Sequence, residues 1–231
     1  MAKNDVKLLG VWASPFVMRA RISLNIKSVN YEFLEETIGS KSELLLQSNP
    51  VHKKVPVLIH GDKPICESLV IVQYIDEVWT SGPSILSADH YDRAIQRFWA
   101  AYLDDKWFPA MRRIRGAQGE ERQELVDQVV EGLALLEEAF GKYSKGKAFF
   151  SGDRIGFIDI AFGSLLGWLR VTEKVGEVKL LDEEKTPGLV KWAECFCADA
   201  AVKSVMPETE KLIEFSKLLM AKMKGVPPPK D

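Results

Sequence analysis

Asn49-Pro50-Val51-His52-Lys53-Lys54-Val55-Pro56-Val57-Leu58-Ile59, followed by Pro64-Ile65-Cys66-Glu67-Ser68, decides the fold. Val55 to Ile59 is apolar and rich in β-branched residues, the composition of a buried strand. Pro56 stands at its start, where proline withholds a ladder donor and is tolerated only at an edge, a strand start or a bulge. Val55 is thereby left with backbone groups facing outward, beside a strand edge. A turn at Gly61-Asp62-Lys63 leads into a second short strand. Glu67-Ser68 then opens a helix running to about Trp79, and a helix start presents unpaired N–H groups that favour an anion. Strand edge and helix N-terminus together predict a site for a peptide-sized anion.

Upstream, Val6 to Val11 reads as a strand and Ser14-Pro15 as the cap and first residue of a helix reaching Lys27. Met18, Ile22 and Ile26 share one face of that helix. Tyr31 to Glu35 is a second strand, and Lys41 to Gln47 a short helix ended by Asn49-Pro50. The order β-α-β-α-β-β-α over residues 1–80 predicts an α/β domain with a parallel pair. Residues 81–90, containing Ser81-Gly82-Pro83-Ser84, read as a linker. Over 91–224 helical periodicity takes over: one helix from Tyr91 to Arg115 bent before Pro109, a second over Gly119–Tyr143, and others near Gly156–Glu173, Pro187–Asp199 and Pro207–Lys224. The proline-rich end, 225–231, is expected to be disordered. Asp159, three residues after Gly156, supplies half of a capping box, with Ile155 and Ile160 as a staple; its removal is expected to cost about 1 kcal/mol, more if the helix end is buried.

Composition narrows the function. The chain has 231 residues, 46% hydrophobic and 28% charged, with a net charge of −2, which argues against a nucleic-acid binder. No apolar run is long enough for a membrane span, and the first five residues lack a signal-peptide pattern. Three cysteines are too few for a disulfide framework, and the three histidines lack metal-ligand spacing, so no metal is expected and a reducing, cytosolic location fits.

The motifs Ser14-Pro15-Phe16, Asn49-Pro50, Lys53-Lys54-Val55-Pro56-Val57-Leu58, Glu67-Ser68 and Ile155…Asp159 resemble those of the glutathione transferases, and Trp12-Ala13-Ser14-Pro15-Phe16 and Cys66-Glu67-Ser68 those of the plant tau class. The resemblance implies a thioredoxin-like N-terminal domain, an all-α C-terminal domain, a homodimer, and a cis bond between Val55 and Pro56. It identifies the anion as glutathione. Val55 pairs with its cysteinyl unit through the backbone. Ser68 and the helix N-terminus hold the γ-glutamyl carboxylate, Glu67 meets the γ-glutamyl ammonium or orients Ser68, and Lys41 and Lys54 attract the glycyl carboxylate.

Ser14 by position alone is a helix cap; the resemblance gives its hydroxyl the task of stabilising the glutathione thiolate. Lowering a thiol from pKa about 8.5 to about 6.5 takes about 2.7 kcal/mol. Arg19 adds positive potential without being catalytic. A related group of the superfamily has cysteine at this position and performs disulfide chemistry, so Ser14 favours conjugation, with peroxidase activity as a side reaction. The electrophile requires an apolar cleft, for which Phe16, Phe108, Met111, Arg112, Trp168, Phe215 and Leu219 are the candidates; each is alternatively a core or interface residue. Arg112, Arg113 and Arg115 read as a solvated face or a cleft rim. Asp76, Glu77, Arg93 and Arg97 read as dimer-interface or intrachain surface pairs. The competing function is a non-catalytic carrier of glutathione conjugates or flavonoid-like ligands.

Overall fold

A computed structural model describes residues 5–223, with side chains to Leu219; the proline-rich end lies outside the described residues. The N-terminal part follows the predicted order: β1 (Val6–Gly10), α1 (Pro15–Ile26), β2 (Glu32–Glu35), α2 (Glu43–Ser48), β3 (Val57–His60), β4 (Lys63–Cys66) and α3 (Ser68–Val78). The sheet order is β2-β1-β3-β4; β1 runs parallel to β2 and antiparallel to β3, and β4 is antiparallel to β3. Alternation along the strands sends their side chains to opposite faces. Leu8 and Leu58 pack with Val17, Ala20 and Leu24 of α1 and Ile71 and Ile75 of α3. Leu9, Val57 and Ile59 pack with Leu45 of α2. Because β3 lies between β1 and β4, Val55 is not at a sheet edge. Its backbone is open because proline delays the strand to Val57, and among the described residues it makes no hydrogen bond. The Val55–Pro56 bond is cis.

The second part is helical: α4 (His90–Tyr102), α5 (Phe108–Ile114), α6 (Gly119–Ser144), α7 (Phe157–Gly163), α8 (Leu166–Gly176), α9 (Pro187–Ala198), α10 (Ala200–Lys203) and α11 (Thr209–Met223). Two expected helices are divided. The helix over 91–115 contains a π turn at Leu103–Trp107, where the Phe108 N–H reaches back to the Leu103 carbonyl. Pro109 explains it: proline has no N–H for the preceding turn and its ring crowds the carbonyl there. The helix over 156–173 breaks at Ser164, whose hydroxyl donates to the Ala161 carbonyl at 3.1 Å. The short α10 was not foreseen; Asp199 caps it by accepting from the Ala201 N–H at 2.8 Å.

The helical core is aromatic. Trp192 stacks on Phe162 at 4.7 Å between centroids and also packs against Phe196. Asp159 is buried at its edge, and burial pushes its carboxyl up to about 6. It accepts from the Phe150 N–H (2.9 Å), the Gly156 N–H (2.9 Å), the Ser151 N–H (3.4 Å) and the Trp192 Nε1–H (2.8 Å). The expected cap is therefore also a hub for three separate segments.

Polar contacts join the two parts. The Trp168 indole donates to the Ala13 carbonyl at 2.8 Å. Within the first part, Lys27 at the end of α1 pairs with Asp76 of α3 at 2.7 Å in a buried ion pair. Asp76 also accepts from the Ile85 and Leu86 N–H groups, anchoring the connection to the helical part. This corrects the interface role considered for Asp76. Arg97 donates to Gln73, and Arg93 contacts His90 on its own helix. Glu77 is exposed.

Candidate active site

Ser14 ends the turn after β1 and caps α1: its backbone is extended, and its Oγ accepts from the Val17 N–H at a long 3.4 Å. A hydroxyl used this way keeps its own proton available for donation. Half-buried, Ser14 faces a cleft of about 260 Å³ that it shares with Val55. Catalytic candidate and open backbone thus meet at one cavity, though 41 positions separate them (55 minus 14).

The loop carrying Val55 is held by Asn49. Its amide donates to the Lys54 carbonyl at 2.9 Å and its Oδ1 accepts from the His52 N–H at 3.0 Å. Asn49 had signalled only the end of α2; the Asn-Pro pair was the sign of a turn built on its side chain. Ser68 is the first residue of α3 and is buried. Its Oγ accepts from Arg19 Nη1 at 3.2 Å, which again leaves the hydroxyl proton to donate outward. Glu67 adopts φ +68° and is largely exposed, 3.7 Å from the His52 ring. Lys41 and Lys54 are exposed.

Arg19 has a structural task that its sequence position did not disclose. Fully buried, it forms a two-pronged pair with Asp104 (2.6 and 2.8 Å) and donates to the Ala161 carbonyl at 2.9 Å and Ser164 Oγ at 3.2 Å. It ties the Ser68 hydroxyl to the π turn and to α7.

The aromatic side of the cleft gathers Phe16, Phe108, Arg112, Trp168, Phe215 and Leu219. Phe16 meets Phe108 edge-on at 5.7 Å, and Phe215 meets both Trp12 and Trp168 edge-on. Met111 does not line it: fully buried, it packs in the helical core, about 100° around α5 from Arg112. Arg113 turns away from the cleft to pair with Glu121 at 2.6 Å. Arg115, read from sequence as part of a solvated face or a rim, lines the cleft.

The three cysteines are free, and burial raises the thiol pKa of Cys66 and Cys197, as suits inert thiols. Among the described residues no cluster of His, Cys, Asp and Glu is placed to hold a metal ion.

Two family models match the chain: the glutathione S-transferase N-terminal domain over residues 4–77 and the glutathione S-transferase C-terminal domain over 119–195. The chain is 64% identical to glutathione S-transferase U17 of Arabidopsis thaliana, across 96% of its own length and 99% of the relative. Its fold superposes with a TM-score of 0.92 on the crystal structure of a tau-class glutathione S-transferase from mango, Mangifera indica, at 70% identity over 94% of this chain and 100% of that one. A rice enzyme, OsGSTU1, crystallised with glutathione, gives a TM-score of 0.86 at 36% identity over 94% of this chain and 97% of the other. The cleft that unites Ser14, Val55 and an aromatic wall therefore sits in a chain that belongs to the tau class of the plant glutathione S-transferases.

Proposed function

We propose that this chain transfers glutathione to small apolar electrophiles, with Ser14 stabilising the thiolate. The carrying observation is the shared cavity: a serine with a free hydroxyl proton, an unpaired backbone at Val55 and an apolar wall line the same space. Val55 receives the cysteinyl unit by backbone pairing and so delivers its sulfur beside Ser14. The γ-glutamyl carboxylate accepts from the Ser68 hydroxyl and the N–H groups opening α3, with Glu67 near the ammonium. Lys41 and Lys54 attract the glycyl carboxylate from the rim. The thiol loses its proton to solvent on binding, and Ser14 donates to the resulting thiolate. Its sulfur then attacks the electrophilic carbon; a C–S bond forms and the leaving group departs with the electron pair of the broken bond.

Turnover of chlorodinitrobenzene by wild type and Ser14→Ala tests this reading. Conjugation by wild type and a large loss in the variant support it. Binding of glutathione without turnover of any electrophile by either protein overturns it in favour of a carrier. Reduction of organic hydroperoxides, which consumes two glutathione molecules per peroxide, is the side reaction to assay in parallel.

A homodimer is supported by exposed apolar side chains, among them Val51 (80% exposed), Val70, Tyr91 and Phe98. Arg93 and Arg97 stand on α4 with Tyr91 and Phe98; a concentration-independent dimer mass in solution is the expected result. Free thiols suit the reducing cytosol.

A further inference from the structure

Among the described residues, the charged groups lining the acceptor cleft are both cations, Arg112 and Arg115. They stand three positions apart at the end of α5, which brings them to one side of the helix. Each guanidinium lies over an aromatic ring: Arg112 over Phe108 at 5.7 Å and Arg115 over Trp168 at 4.8 Å. Arg115 is otherwise sparsely satisfied. Its Nη1 donates to Ser216 Oγ of α11 at 3.1 Å, while its Nε is buried and, among the described residues, has no hydrogen-bond partner. No carboxylate among the described residues is within ion-pair distance of either arginine. Burial and the neighbouring Arg112 lower the pKa of Arg115, the response of a cation held without a counter-charge.

A buried donor without an acceptor is costly and uncommon in a folded protein. A guanidinium offers a planar fork suited to a carboxylate. We infer that the acceptor cleft selects aromatic substrates and ligands that carry an anionic group, with the ring against Phe108, Trp168 and Phe215 and the anion on Arg115, assisted by Arg112. The cleft's volume, about 260 Å³, admits one ring system with one such group. This inference rests on the transferase reading for its substrates, but it also applies to ligands that do not react.

The test uses matched pairs that differ in charge. The reacting pair is 4-chloro-3-nitrobenzoate and 4-chloro-3-nitrobenzamide. In both, the glutathione sulfur bonds to the ring carbon and chloride leaves with the C–Cl electron pair; each kcat/KM is divided by the uncatalysed rate with free glutathione. The non-reacting pair is 1-naphthoate and 1-naphthamide, titrated by calorimetry with glutathione present. The carboxylate is expected to be preferred by about tenfold or more in both pairs, the range of one charge-assisted hydrogen bond. Arg115→Met is expected to bring both ratios close to one, and Arg115→Lys to restore part of each. Equal use and equal affinity in wild type overturn the inference. So does an Arg115→Met protein that weakens both members of a pair alike, because that is the behaviour of a strut between α5 and α11. If naphthoate is preferred while neither the chloro compounds nor chlorodinitrobenzene turn over, the cleft inference stands and the transferase reading fails.

Discussion

Replacing Asp159 by alanine should cost far more than the loss of a surface helix cap. The carboxylate is fully buried and accepts three close hydrogen bonds, from the Phe150 and Gly156 N–H groups and the Trp192 indole, with Ser151 more distant. Alanine leaves those donors without an acceptor and without access to water. Each orphaned buried donor costs about 1–3 kcal/mol, so even the low end for three gives about 3 kcal/mol. We expect a loss of about 3–5 kcal/mol, against total stabilities of about 5–15 kcal/mol for globular domains. Asp159→Asn should recover little, because one amide oxygen replaces two acceptors and the new NH₂ faces N–H groups. Urea unfolding at one fixed protein concentration, followed by tryptophan fluorescence, reads the difference. A loss of 1 kcal/mol or less would refute the reasoning, since that is the value of a solvent-exposed cap. The pH dependence has a definite sign. The folded-state carboxyl, at about 6 rather than 3.8, holds a proton that the unfolded chain has already lost between those values. Stability from this group therefore falls as pH rises from about 4 to about 6, by up to about 3 kcal/mol. The margin of wild type over Asp159→Ala should widen on acidification from pH about 7 to about 4.

Ser14→Ala should leave bound glutathione with the acidity of a free thiol. Taking the thiol pKa from about 6.5 back to about 8.5 lowers the thiolate fraction about fiftyfold at pH about 6.5, and the gap should close above pH about 9. A pH–rate profile or ultraviolet thiolate titration that coincides for the two proteins would remove Ser14 from the mechanism. Arg19→Met leaves Asp104 without its cation and frees the Ser68 hydroxyl from its donor. It should cost about 3 kcal/mol in unfolding and weaken glutathione binding by calorimetry; unchanged affinity in a folded variant would separate Arg19 from the glutathione site. Gly163→Ala places a methyl 2.3 Å from the Phe196 ring, which is packed against Trp192. A loss of about 1–3 kcal/mol is expected by denaturation, and a stabilised variant would contradict the packing described.

The features that were legible in the sequence were those whose cause is local. Ser14-Pro15 declares a helix start because a cap and a first-turn proline need no distant partner. Pro56 announces where β3 begins for the same kind of reason, and the apolar steps of α6 declare its buried face. Pro109 signalled a bend, although a π turn rather than a kink accommodates it. Asp159 was read correctly as a cap from its offset to Gly156, but the sequence could not disclose that Phe150 and Trp192 converge on the same carboxylate.

Arg19 and Arg115 show why the remainder was hidden. Arg19 was recognisable as a cation one turn into α1, yet its partners Asp104 and Ser164 stand 85 and 145 positions away. Arg115 sits in an arginine-rich stretch whose three members have the same composition and different fates. Arg113 meets Glu121 outside the cleft, Arg112 covers Phe108, and Arg115 is pressed between Trp168 and Ser216, 53 (168 minus 115) and 101 positions on. A side chain's charge is a local property, whereas its neutralisation depends on what the fold brings near it. The same distinction separates Met111 from Arg112: adjacent residues on α5, about 100° apart around the helix, go one into the core and one into the cleft. Which residues of α5 line the cleft therefore depends on the rotation of one short helix, set by the π turn and Pro109 at its start.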